Sequence, residues 1–335
     1  MTAWSTAALL VFGIAIGPHG LNLLSPSVLL LIDPGVAMAL AMLGVFVGLS
    51  VEPGHGRLTQ LMRASMTRTT TVIAIVGVAV VAIYAFWLAH GSHPWLLAVT
   101  AGVCAAVTAA AADDDNLDDV LMILAGGAVV AAMQPGSLAT QLLLPFALAG
   151  IAVTVAFAGA LLVGQTSSEA EQHVFVVGSL LLLGGAATYL SLSAVFAGLL
   201  AGLTWKIAGN VAQARVVRDL NYLQHPFVVL VLVVASVGLS PSLETFALAA
   251  VFVVARGFAR RAGARLAHTF SRATRGGETA PSLTSSGLIG VALALDVYRG
   301  AAAPEWATTL LGAIVIGTIV SQAFALILAP QRVSG

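Results

Sequence analysis

The chain has 335 residues, 59% of them hydrophobic and 8% charged, and its 14 basic and 14 acidic side chains cancel. A soluble domain carries roughly 25% charged residues, so this composition excludes a water-soluble globule and points to an all-α, polytopic membrane protein in contact with the lipid bilayer. Zero net charge argues against nucleic acid as a partner, and a single cysteine, Cys104, rules out an intrachain disulfide or a cysteine-based metal site.

Lipid offers no partner to backbone N–H and C=O groups, so each long apolar run is predicted to be a helix. About twelve runs follow one another, at 4–17, 35–52, 69–89, 94–112, 117–133, 138–163, 173–189, 191–207, 223–239, 243–262, 282–297 and 305–328. The first has no basic segment ahead of it and reads as a membrane helix, not a cleaved signal. The proline-bounded piece 21–32 reads as a short or re-entrant segment. Asp33 before Pro34 reads as a turn or helix start, and His225 before Pro226 as a helix start. Trp87, Trp95, Trp205 and Trp306 fall near span ends and read as interfacial anchors. Glycines such as Gly44/Gly48 and Gly198/Gly202 point to close helix packing. The whole chain, 1–335, is expected to be one transmembrane domain. The segments between spans are too short for a soluble domain, and no phosphate-binding glycine pattern follows a strand. An ATP-driven pump, a redox enzyme or any other enzyme with a bound cofactor is therefore not expected.

Orientation follows from the basic residues. Arg57, Arg63 and Arg68 follow the second span, Lys206, Arg215 and Arg218 the eighth, Arg256 to Arg275 end or follow the tenth, and Arg332 follows the twelfth. Alternating spans put all of these on one side, which the positive-inside rule makes cytoplasmic, with both termini there. Arg299 alone falls outside.

Residues 113–119, Asp-Asp-Asp-Asn-Leu-Asp-Asp, hold five of the 14 acids and run straight into the fifth span. An ionised carboxylate at mid-helix costs at least ~2.5–3.5 kcal/mol in lipid unless water, a cation or a base meets it. Asp118 and Asp119 are therefore the leading candidates for an ion or proton site. The eleventh span opens on Thr284-Ser285-Ser286-Gly287, and the fourth runs past Thr108 into the aspartates. Two interrupted segments in matching places suggest inverted repeats, 1–163 with a linker helix and 173–330, whose broken helices meet at the site. Asp118, Asp119, the backbone near Thr108 and Ser285 would supply oxygen ligands to an ion there. Asp296, closing the eleventh run, reads as facing outer water, with a place on an exit pathway as the alternative.

Several stretches together resemble the monovalent cation:proton antiporter superfamily, in the branch of bacterial sodium/proton exchangers and potassium-efflux transporters. Gly17-Pro18-His19-Gly20-Leu21 is similar to the family's first-helix ending, Gly44-Val45-Phe46-Val47-Gly48-Leu49 to its next span, and Leu190 to Leu203 to its Gly-Leu-Ser and Ala-Gly-Leu region. Pro226 to Leu239 and Ala255 to Ala264 resemble the following spans, and Asp118-Asp119-Val120-Leu121 resembles the acid pair of the fifth helix. The resemblance implies a homodimer in the bacterial inner membrane, a scaffold/dimer bundle, and a core bundle with broken, crossing helices. It implies alternating-access exchange of Na⁺ or K⁺ for H⁺, with Asp119 as the ion and proton carrier and Asp118 beside it. The basic residue of the tenth span would be Arg260, at the family's lysine position, or Arg256. An arginine does not release its proton, so that base supplies fixed charge only. Thr108 and Asp118 also stand closer together than the family's crossing motif and acid pair. These departures leave open a second reading, a divergent, non-transporting antiporter-like subunit of a larger complex.

Overall fold

The computed structural model describes residues 3–18, 20–51, 58–87, 94–107, 117–166, 168–270, 288–300 and 305–328. These form twelve helices: α1 (Ala3–Ile16), α2 (Pro26–Ser50), α3 (Leu58–Trp87), α4 (Pro94–Ala106), α5 (Leu117–Ala132), α6 (Leu138–Gln165), α7 (Glu169–Tyr189), α8 (Ala194–Ala208), α9 (Asn210–Val237), α10 (Leu243–Phe270), α11 (Leu288–Gly300) and α12 (Glu305–Leu328). Six stretches, in α2, α3, α6, α7, α9 and α12, are long and apolar enough to cross a membrane, and Thr6–Ile16, Trp95–Ala106 and Ala194–Ala208 are apolar but shorter. The protein is an all-helical, multi-pass membrane protein. Large apolar side chains left exposed, such as Leu142, Leu143, Phe146 and Phe157 on α6, face the surface that lipid covers.

Three readings of the sequence are corrected. Residues 26–32 are no separate segment: α2 begins at Pro26 and runs through Asp33 and Pro34 to Ser50. His225 is not a helix start, because α9 continues through Pro226 from Asn210 to Val237. Prolines interrupt helices less inside a membrane bundle, where neighbouring groups satisfy the freed carbonyls. Trp205 is no interfacial anchor either. It is 1% exposed and donates its indole N–H to the Ala156 carbonyl at 2.6 Å, which joins α8 to α6.

The helices pack as two bundles. Contacts among α3, α4, α5, α10, α11 and α12 build a core bundle, and contacts among α1, α2, α6, α7, α8 and α9 build a flanking one. Small residues set the closest approaches, as the glycine pairs suggest. A Cβ at Gly198 would lie 1.8 Å from the Ala41 carbonyl oxygen, and one at Gly44 2.0 Å from that of Val195. Backbone cannot retreat cheaply from such a clash. Gly198→Ala is accordingly expected to lower the melting temperature in detergent and to cost about 3 kcal/mol, whereas Gly150→Ala, with open space around it, should leave it unchanged or raise it.

Two registers fix the core. A Cβ at Gly126 would touch Leu293 and one at Gly300 would touch Val130, so α5 and α11 run parallel. Likewise Gly312 faces Thr245 and Gly317 faces Phe252, so α10 and α12 run parallel.

Candidate functional site

The acid pair lies where α4 ends and α5 begins. Asp118 and Asp119 occupy the first turn of α5, where the helix N-terminus carries partial positive charge and unpaired N–H groups. Both are buried, at 1% and 2% exposure. The acids therefore do not hang in open solvent. Asp118 accepts hydrogen bonds from the Ser65 hydroxyl and the Arg68 guanidinium, both on α3, and Arg68 forms its salt bridge. Arg260 of α10 lies within Coulombic range of Asp119 and of Arg68.

Arg256 sits one helical turn from Arg260 and is buried at 4% exposure. Its Nε donates to the Ala105 carbonyl at 2.9 Å and its Nη2 to the Val107 carbonyl at 3.0 Å. These are carbonyls at the C-terminal end of α4, which have no partner inside the helix. The guanidinium therefore offsets the negative end of a helix that stops inside the bundle. It also lies within Coulombic range of Cys104 and Arg260. α11 crosses at the same place, since a Cβ at Gly290 would be 3.0 Å from the Cys104 carbonyl oxygen. The fourth and eleventh helices, singled out by their short or polar pattern, thus meet beside the arginine.

Asp118 and Asp119 are buried side by side at the start of α5, with the half-buried Arg260 within Coulombic range of Asp119, while Arg256 lies one turn from Arg260 against the end of α4. Thr108 and Ser285 lie outside the described residues. Ser65 and Arg68 were not picked out by sequence reasoning, which used Arg68 only to orient the chain. The signal available was its position: a basic residue inside the opening turns of an apolar helix. Asp296 overturns the expectation of an outer-surface residue. It is 4% exposed and accepts from the Ser193 hydroxyl at 2.5 Å and the Ala194 N–H at 3.1 Å, so its carboxylate is held by the N-terminus of α8. No group of three or more His, Cys, Asp or Glu suited to a metal ion occurs among the described residues.

The fold defines an all-helical, polytopic membrane protein in which α4 ends, and α5 begins, beside buried charged side chains. The fold is that of the sodium proton antiporter MjNhaP1 from Methanocaldococcus jannaschii, solved at pH 8, with a TM-score of 0.61 and 15% identity over 95% of this chain and 89% of that one. The architecture thereby agrees with the antiporter resemblance of the sequence motifs. No protein-family model and no curated protein matches the sequence.

Proposed function

We propose that the protein is a secondary transporter that exchanges a monovalent cation, Na⁺ or K⁺, for protons by alternating access. The observation that carries this reading is the buried acid pair at the start of α5, with Arg260 within Coulombic range of it and Arg256 at the end of α4. In the antiporter-like fold, one carboxylate that takes either a cation or a proton gives obligatory exchange without ATP. Arg68 and Ser65 hold Asp118, which suits it as the anchor, and Asp119 takes the carrier role that the antiporter acid pair implies for the second acid. Arg260 supplies a fixed positive charge within Coulombic range of Asp119 that offsets only part of the cost of its empty carboxylate. The backbone near Thr108 and the Ser285 hydroxyl would complete the oxygen ligands. Desolvation at 2% exposure raises the cost of an unneutralised Asp119 charge and so couples the departure of one ion to the arrival of the other.

The same proposal takes the chain as a homodimer in the bacterial inner membrane, with its two halves as inverted repeats. Its arginine-rich end, which holds Arg68, Arg256 and Arg260, would be cytoplasmic, as would both termini. A regulatory or complex partner subunit fits the chain as an addition to the homodimer. A second reading has one specific observation in its favour. The ion pair between Arg68 and Asp118 neutralises one of the two acids permanently, as a non-transporting membrane subunit of a larger complex would tolerate. The purified chain in liposomes with an enclosed pH dye separates the two. Exchange requires that an imposed Na⁺ or K⁺ gradient move protons above the rate of protein-free liposomes. A folded protein that moves none with either cation supports the subunit reading.

A further inference from the structure

At the far end of α5 from the acid pair, the two bundles are tied together by a second set of polar groups. The parallel register of α5 and α11 places Asp296 level with residues between Gly126 and Val130. That is about nine residues beyond Asp119, or roughly 14 Å along the helix at 1.5 Å per residue. Asp296 belongs to α11 of the core bundle, and the Ser193 hydroxyl and Ala194 N–H that hold it belong to the start of α8 in the flanking bundle. Ser193 is also the N-cap of α8, accepting from the Phe196 N–H at 3.0 Å. The carboxylate is therefore the second acceptor at one helix end, and its negative charge complements the helix dipole.

One turn on, Arg299 pairs with Asp33 of α2 at 2.8 Å and also donates to the Asp33 backbone carbonyl at 3.3 Å. This again joins α11 to the flanking bundle. Gln134, just past α5, donates to the Ser191 carbonyl just before α8. Among the described residues, Arg68 pairs with Asp118 inside the core, and Arg218 with Glu169 and Asp219 inside the flanking bundle. Between these links lies a surface pocket of about 140 Å³, partly open to the outside, lined by Asp33, Ser191, Leu192, Asp296 and Arg299 among others, room for about five waters at ~30 Å³ each.

We infer that Asp296, Ser193, Arg299 and Asp33 form a lock that clamps the core bundle onto the flanking bundle at the end opposite the acid pair, and that the buried inner wall of the pocket at Leu192 and Asp296 becomes open to water when the lock parts. The inference rests on the reading that the core moves against the flanking bundle. It goes further in naming the groups that hold one side shut. Each link joins a short polar group to a helix end or to a charge of opposite sign, so each has a defined made state and broken state. An apolar seam would yield gradually. The lock also accounts for a buried carboxylate and a paired arginine, side chains that bundle stability alone does not require.

The test is thiol accessibility in the full-length protein, reconstituted in liposomes. Cys104→Ala removes the single native thiol, and Leu192→Cys, buried at the cavity wall, supplies a reporter. A membrane-impermeant maleimide is added from either face. The lock predicts slow labelling in this parent. Arg299→Gln and Asp296→Asn should each label about tenfold faster, the factor that about 1.4 kcal/mol carries in an opening equilibrium, and from one face only. The exchanged pair Asp33→Arg with Arg299→Asp should return labelling to near the parent rate. Equal rates in parent and variants overturn the lock. So do acceleration from both faces alike, which signals general loosening, and an exchanged pair as fast as Arg299→Gln. Cation-driven proton movement by the same vesicles is read separately. Faster labelling without flux keeps the lock and refutes exchange, and flux with unchanged labelling does the reverse.

Discussion

Liposomes carrying Asp119→Asn should show cation-driven proton movement no faster than protein-free liposomes, while Asp118→Asn should keep about a tenth of the wild-type rate. The two substitutions are isosteric, and each removes one negative charge, so the contrast isolates what each carboxylate does. An asparagine in place of Asp119 has no proton to give up within the accessible pH range. If a cation and a proton compete for one carboxylate, exchange ends with that carboxylate. The carboxylate of Asp118 takes the Ser65 hydroxyl on Oδ1 and the Arg68 guanidinium on Oδ2. An asparagine there keeps only the Arg68 bond as acceptor, through its amide oxygen, and its amide NH2 group must instead donate to the Ser65 hydroxyl oxygen. The anchor is weakened but keeps its geometry, and a loss of about 1.4 kcal/mol in positioning corresponds to tenfold in rate. Matching elution in size-exclusion chromatography and matching helical circular dichroism exclude misfolding as the cause. Equal loss in both variants would assign carriage to the pair, and an unaffected Asp119→Asn would remove the exchange reading.

How far the sequence spoke for the structure depended on whether a residue's partner was close along the chain. Helices could be read because lipid leaves an apolar run no alternative, and α12 falls at 305–328 as expected. Errors came where a helix passes through proline, as at Pro34 and Pro226, because proline is a stop signal in water and a tolerated residue in a packed membrane bundle. Asp118 and Asp119 stood out since acids are scarce beside apolar runs. Their immediate partners did not: Ser65 and Arg68 lie 50 or more residues earlier in sequence. Asp296 was misjudged for the same reason. At the end of an apolar run it resembles an interfacial residue, and the α8 N-terminus that receives it is about a hundred residues away. Arg256 was legible only as fixed charge, through the antiporter resemblance and as an alternative to Arg260; the α4 end it serves was not, although an arginine inside a membrane helix needs acceptors and a helix end offers carbonyls.

That last relation carries the second large effect. Arg256→Met should lower the stability of the folded protein in detergent by about 2–4 kcal/mol, seen as an earlier thermal unfolding transition, and should abolish exchange. Methionine fills a similar volume but donates nothing, so the Ala105 and Val107 carbonyls now served at 2.9 and 3.0 Å would be left buried without a partner. Two lost charge-assisted bonds set the upper figure. The relief of no longer burying a guanidinium, here 4% exposed, sets the lower one. Arg256→Lys separates charge from shape. An ammonium can neutralise the end of α4 but cannot span two successive carbonyls with one planar fork, so a loss of about 1–2 kcal/mol is expected, with part of the exchange retained. If methionine proved as stable as arginine while exchange stopped, Arg256 would act on the ion and not on the helix end. Normal stability with normal exchange would mean that α4 terminates without help, and the broken-helix account of the core would fall with it.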